Sequence, residues 1–166
     1  NSQLNGFLKG GVQYLDYSSL PQGSGYKDAR TTPYIDLGLS YLYNPGSYLQ
    51  FGYKHVNNPS DLRVLSAESD VVYLTLNHRI SAKLNMNILA QYQHSRMEDY
   101  FNGSSFLTLP EDFWVAGINF TYAINNWLST EIGYNYDNLN SAVQVAGIDT
   151  RSYDRHVGYV GFRGSW

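Results

Sequence analysis

Apolar and polar residues alternate along nearly the whole chain with a period of two. In "NGFLKGGVQYLDY" one side carries Leu8, Gly10, Val12 and Tyr14, and the other Lys9, Gly11 and Gln13. "PYIDLGLSYLYN" sets Ile35, Leu37, Leu39, Tyr41 and Tyr43 against Asp36, Gly38 and Ser40. "YLQFGYKH" sets Leu49, Phe51 and Tyr53 against Gln50, Gly52 and Lys54, and "VVYLTLNHR" sets Val72, Leu74 and Leu76 against Tyr73, Thr75 and Asn77. "LNMNILAQYQ", "FWVAGINFTYAI", "LSTEIGYNYD" and the closing "YDRHVGYVGFRGSW" repeat the scheme. Successive residues of an extended strand point to opposite faces, so each run predicts a strand with one apolar face and one polar face. About eight strands are expected, with no run of helical period.

The links between the runs alternate in length. "NPGS", "SAK" and "NN" are tight and turn-like, whereas roughly 18–32, 58–69, 96–111 and 138–152 read as long polar loops. Short turns therefore gather at one end of the strands and long loops at the other. The strand–turn–strand plan recurs around each tight turn, as a chain built from hairpins would have it. An all-β, up-and-down antiparallel meander forming a single domain over residues 1–166 is the expected architecture, and eight strands suffice to close one into a barrel.

Alternation alone does not say which face meets water. A soluble carrier barrel hides its apolar face inside, and a membrane barrel turns it outward. The polar face separates the two. It is rich in Gly, Ser, Thr, Asn and Gln, with few charges, whereas a water-exposed surface carries about 25–35% Lys, Arg, Glu and Asp. Small and amide side chains suit a narrow enclosed interior. Aromatic residues collect at the strand ends: Tyr41, Tyr43, Tyr48, Tyr122, Trp127 and Trp166 near the tight turns, and Tyr14, Tyr53, Tyr92, Trp114, Tyr134 and Tyr136 toward the long loops. Two aromatic girdles flanking aliphatic rows are what the two interfaces of a bilayer select. A transmembrane barrel is expected, the lipocalin-like alternative lacking the G-x-W expected near its N-terminus.

Composition narrows the classes further. Charged residues make up 15% of the chain and aromatic residues 16%. The formal net charge of −3, with no basic run, argues against a nucleic-acid partner. Cysteine is absent, so neither a disulfide framework nor a thiolate site is possible. No apolar stretch approaches the ~18 residues of a membrane-spanning helix. No charged-then-apolar leader precedes the strands, so any signal peptide is expected to have been removed already, and a first residue Asn1 fits a processed or a truncated chain equally.

The final strand ends on Trp166 in step with Phe162 and Val160. In a closed barrel that strand must pair with the first along its length. The alternating run with Tyr159, Phe162 and a terminal aromatic resembles the C-terminal assembly signal of bacterial outer-membrane proteins, with Trp in place of the commoner Phe. That resemblance implies recognition by the barrel-assembly machinery. More particularly, "INNWLSTEIGYNYDNLNSAVQVAGIDTRSYDRHVGYVGFRGSW" resembles the last two strands of the β-barrel porin families of Gram-negative outer membranes. The likeness covers about the last 45 residues. It implies envelope or exopolysaccharide systems and, in many members, larger barrels than eight strands.

Candidate chemistry lies mainly on the polar face. Glu131 and Arg163 fall at similar depth on neighbouring strands, with Lys9 close across the closing seam, and Asp36 and Lys54 fall at similar depth on strands two and three. Lys9, Asp36, Lys54, Glu131 and Arg163 are expected to form an interior charge network that fills the lumen, with a gate or filter as the functional alternative. The inward glycines Gly11, Gly38, Gly52, Gly117, Gly133 and Gly161 are expected to let the wall curve or to receive a neighbouring ring. "QYQHSRMED" brings His94 and Ser95 near Glu98 and Asp99 in sequence, in the manner of outer-membrane lipid-modifying enzymes. Adjacent strand residues point to opposite faces, so the pair should not meet as base and nucleophile. His55, His94 and His156 are instead expected as amphipathic side chains at the membrane interface. No catalytic site, metal or cofactor is expected.

These readings converge on a non-enzymatic outer-membrane barrel that presents loops to the outside. Its partners would be the lipid bilayer and lipopolysaccharide, the assembly machinery, and envelope proteins; the acids of the long loops read as solvated charge, with "RMEDYFNGSSFLTLPED" the foremost contact if they bind a divalent cation or a surface partner. Two alternatives remain open: a pore-forming segment of a larger porin or exopolysaccharide-export barrel, and a lipid-modifying enzyme.

Overall fold

A computed structural model describes residues 3–16, 29–59, 66–102, 105–142, 144–145, 148–149 and 151–164. Its strands are β1 (Leu4–Asp16), β2 (Ala29–Asn44), β3 (Ser47–Pro59), β4 (Ser66–Arg79), β5 (Leu84–Asn102), β6 (Ser105–Ala123), β7 (Leu128–Ser141), β8 (Gln144–Val145), β9 (Ile148–Asp149) and β10 (Tyr153–Gly164). No helix occurs among the described residues. Eight strands form one antiparallel up-and-down sheet in the order β1-β2-β3-β4-β5-β6-β7-β10, and β8 and β9 form a separate small hairpin. All eight alternating runs are therefore strands, each paired with the run next to it in sequence. The sheet is open: β1 and β10 are its two edges and are not paired with each other.

The turn chemistry read from the chain is in place. Between β2 and β3, Asn44 faces Ser47 across Pro45 and Gly46, and Gly46 has φ 79°, the left-handed value that the third residue of a type II turn demands. Between β4 and β5, Ser81 Oγ accepts the Leu84 backbone N–H at 3.1 Å. Between β6 and β7, Asn125 Oδ1 accepts the N–H groups of Trp127 and Leu128 at 3.0 and 2.8 Å, an Asx-type closure.

At the opposite end the strands run further than the alternation predicts. Most of 96–111, expected as a loop, is strand: β5 continues to Asn102 and β6 begins at Ser105, with Phe101 paired to Phe106 after an irregularity between Met97 and Tyr100. The expected loop over 138–152 likewise contains the end of β7 and the β8–β9 hairpin. β3 and β4 also extend, to Pro59 and back to Ser66, into the stretch read as a loop over 58–69. The reason is physical. Alternation reports a contrast between the surroundings of two faces, whereas backbone pairing needs no such contrast and persists where that contrast breaks, as where Ala67, Met97 and Leu109 fall side by side on the polar rows.

Register fixes the faces. Lys9 pairs with Asp36, Asp36 with Lys54, Lys54 with Val71 and Val71 with Gln93, so the polar rows of successive strands share one side. On that side, near the C-terminal edge, Asn119 on β6 donates to the Tyr159 hydroxyl on β10 at 2.8 Å, across the intervening β7. Burial is inverted relative to a protein with an apolar core. Met97 is the buried hydrophobic side chain among the described residues, whereas Thr32, Ser47, Asn57, Ser69, Ser95, Glu111, Asp137 and Ser141 are all buried. Large apolar side chains such as Leu39, Phe51, Leu74, Ile132 and Val160 are exposed on the side opposite the polar rows; of the buried polar side chains, Asn57 shares their side, paired with Glu68.

Candidate functional site

On the polar face the glycines are seats for rings. A Cβ on Gly11 would stand 2.6 Å from the Tyr34 ring, and one on Gly38 2.6 Å from the Phe7 ring. Tyr73 lies over Gly52 and Tyr159 over Gly133 more closely still. Each ring comes from the residue directly across on the neighbouring strand. The missing side chain lets the ring lie flat along the wall, which fills space without widening the strand spacing. At Gly133 this has a further consequence, since the Tyr159 ring crosses the glycine and its hydroxyl reaches Asn119. Gly117 and Gly161 receive Asn135 and Glu131 in the same way.

The five charges singled out from sequence share this face but fall into two groups. Glu131 and Arg163 lie on the same side of the wall, 3.8 Å apart. Asp36 stands directly across from Lys54 on one flank and from Lys9 on the other. Lys9 is thus a neighbour of Asp36 within the sheet, not of Glu131, because the edges that would bring it to Glu131 are unpaired. Two shorter ion pairs lie further toward the long connections: Arg155 grips Asp137 through Nε and Nη2, and Arg151 Nη2 reaches Glu111 at 3.3 Å. Asp137 and Glu111 are both buried. Sequence reasoning missed these pairs because it ended strand seven at Asp137 and treated the following residues as loop. No local signal could have found them, because beyond Asp137 the alternation lapses, with Leu139 on the polar row and Asn138 and Asn140 on the other, and the partners lie far apart in sequence.

The apolar face changes character at the same end. Tyr53 and His55 both donate to Asp70 Oδ1, at 2.5 and 2.8 Å, and the second ring nitrogen of His55 faces Glu68 at 3.3 Å. Tyr92 and His94 repeat the arrangement on Asp112, at 2.7 and 2.8 Å. A third cluster joins Tyr136 and Asn138 to Asp154 at 2.9 and 2.8 Å, with His156 bonded to Tyr134 at 2.6 Å. In the first two, Tyr-x-His on one strand meets Asp on the next, because period two puts tyrosine and histidine on one face and pairing sets the aspartate opposite the histidine. Each cluster satisfies its own donors beside an apolar surface, where an unpaired polar group is costly. The recurrence of "YKH" and "YQH" is the sequence signal, but their aspartates lie 15 and 18 residues away.

Aromatic side chains band both ends of the apolar face. Tyr14, Tyr53, Tyr92, Trp114, Tyr134 and Tyr136 lie on apolar rows toward the long connections, with the Tyr92 and Trp114 rings 4.4 Å apart. At the turn end Tyr41, Tyr43 and Tyr122 lie on that face and Trp127 in the β6–β7 turn, all exposed. Tyr48 is a correction: it pairs with Leu42 and Asn77, so it stands on the polar rows and does not join the band. Phe162 is exposed on the apolar face of β10, Tyr159 lies on the polar face, and Trp166 lies outside the described residues.

His94 and Ser95 are separated as the strand period requires. His94 binds Asp112 on the apolar face, whereas Ser95 Oγ is buried on the polar face, 3.0 Å from Ser69 Oγ. The two cannot act as base and nucleophile on one substrate atom. The side chains of 98–107, which include Glu98, Asp99, Tyr100, Phe101 and Phe106, lie outside the described residues. No protein-family model matches the chain, and no curated protein matches it.

Proposed function

We propose that the chain is the β-barrel of a bacterial outer-membrane protein, non-enzymatic, whose paired strand extensions stand above the bilayer as a platform for envelope partners. One observation carries this reading: the apolar face has no cover, while the buried side chains are almost all polar. In water such an arrangement would leave large apolar side chains exposed along most strands; in a bilayer those rows are solvated by lipid and the polar face becomes the interior. The Tyr–His–Asp clusters then lie at headgroup height, and lipopolysaccharide is the surface they meet. Assembly through the last strand follows from its resemblance to the outer-membrane signal. The test is refolding into vesicles whose lipids carry brominated chains at defined depth. Trp114 and Trp127 should be quenched most by shallow bromines, and the strands should resist protease. A chain that stays monodisperse and folded in detergent-free buffer, with unquenched tryptophans, overturns the proposal.

The two free edges favour a second reading, in which this sheet is one segment of the wall of a larger porin or polysaccharide-export barrel. Planar-bilayer conductance separates the two. A small barrel whose lumen holds Tyr73, Tyr159 and Tyr34 should pass little or no current, whereas a larger pore should conduct steadily.

A further inference from the structure

The two edges carry matching vacancies. The five most exposed large apolar side chains among the described residues all lie on them: Leu8 at 76%, Val12 at 69% and Tyr14 at 66% on β1, and Phe162 at 74% and Val160 at 68% on β10. The same edges hold the strand glycines that no side chain covers. Around a Cβ built on Gly158 there is nothing within 4 Å, and around one on Gly10 only a backbone oxygen at 3.7 Å. Elsewhere in the sheet a glycine is filled from the strand beside it. Uncovered glycines next to uncovered rings mark two surfaces made to meet.

We propose that β1 and β10 of one chain pair antiparallel in the register that sets Gly10 against Phe162, Val12 against Val160, and Tyr14 against Gly158. This inference rests on the barrel reading and specifies its seam. Each vacant glycine then receives a ring from across the seam, as Gly52 and Gly133 do within the sheet. Asp16 comes level with His156, just as Asp70 is level with His55 and Asp112 with His94. On the polar face Lys9 comes level with Arg163, each cation having a carboxylate on its far side, Asp36 and Glu131. Registers shifted by one residue would turn apolar rows inward, so only shifts of two compete. The nearest competitor brings Lys9 opposite Gly161 but sets Asp16 against Asp154 and offers both glycines only valine.

Closure geometry agrees. The path of paired residues that starts at Leu4 and Tyr41 ends at Tyr134 and Gly158. The seam returns Gly158 to Tyr14, ten residues further along β1. Over eight strands about 4.8 Å apart, with a rise of about 3.3 Å per residue, that offset corresponds to a strand tilt of about 41°, within the ~35–45° of closed barrels.

The absence of cysteine makes the seam directly readable. The full chain carrying Val12→Cys and Val160→Cys, refolded into vesicles and treated with a mild oxidant, should form an intramolecular disulfide. The companion pairs Val12→Cys with Gly158→Cys, and Val12→Cys with Phe162→Cys, should cross-link about tenfold more slowly, since they are diagonal in this register. Faster linking in either companion pair overturns the register. Dimers as the only product overturn closure within one chain, and no link in any pair overturns the seam. Vesicle entry of the cysteine-free chain, scored separately by protease protection, distinguishes these failures from failure of the membrane reading: an unlinked chain that has entered the bilayer removes the seam alone.

Discussion

The two faces of this sheet handle their surroundings in opposite ways. The polar face is provided for largely from within the sheet: rings lie in glycine seats, Ser69 meets Ser95, and Asp137 meets Arg155, although Thr32 Oγ1 is buried without a hydrogen-bond partner. The apolar face provides for itself only at one end, where three carboxylates collect tyrosine, histidine and asparagine donors; along most of its length it shows bare Leu, Ile, Phe and Val. The contrast teaches that one side of the wall is finished from within the sheet and the other is not; on the membrane reading proposed above, hydrocarbon finishes the second.

Charge placed in the bare rows is the harshest way to break the comparison. Leu74→Arg should cost about 2–4 kcal/mol of folding free energy in vesicles, read from urea titrations, whereas Gln91→Arg on the polar face should cost far less. Equal costs on both faces would remove the distinction. Filling a ring seat comes next. Gly52→Val forces the Tyr73 ring aside and should destabilise by about 1–3 kcal/mol, with at least about 0.5 kcal/mol recovered when Tyr73→Ala is added. Additive losses would mean that the ring and the glycine do not act as a unit.

Smaller effects sharpen the picture. Asp112→Asn removes the shared acceptor of Tyr92 and His94 and should cost about 1–2 kcal/mol, while Asp112→Ala with Tyr92→Phe and His94→Leu should regain part of that loss. A cluster that binds nothing beyond itself predicts this recovery. Smallest of all, Glu131→Gln should cost no more than about 0.5 kcal/mol and should lose its effect at high salt, because Arg163 is mostly exposed and the pair is long. A large, salt-independent loss would instead indicate a tight interior charge network.

The uneven legibility of the chain has a common cause. Period two was plain wherever one face differed from the other, so Leu37, Leu39, Phe51 and Leu74 declared their rows and the strand count followed. It fades in 96–111, where the apolar Met97 and Leu109 fall on the polar rows and Arg96 and Pro110 on the apolar ones, so alternation gives no sign that β5 and β6 continue. Tyr48 was grouped with its aromatic neighbours by proximity to a turn, although parity with Gln50 and Gly52 already set it on the other face. The ion pairs of Asp137 and Glu111, and the aspartates of the three clusters, were out of reach because their partners are distant in sequence.

What the sequence by itself determined is the local part: eight alternating strands, three tight turns held by Gly46, Ser81 and Asn125, and the division of side chains between two faces. These depend on residue type and on neighbours within a few positions. Only the tertiary structure decided which Asp meets which His, which ring lies in which glycine, and where the uncovered glycines fall. Those depend on inter-strand register, where a shift of two residues preserves every apolar row yet changes every partner.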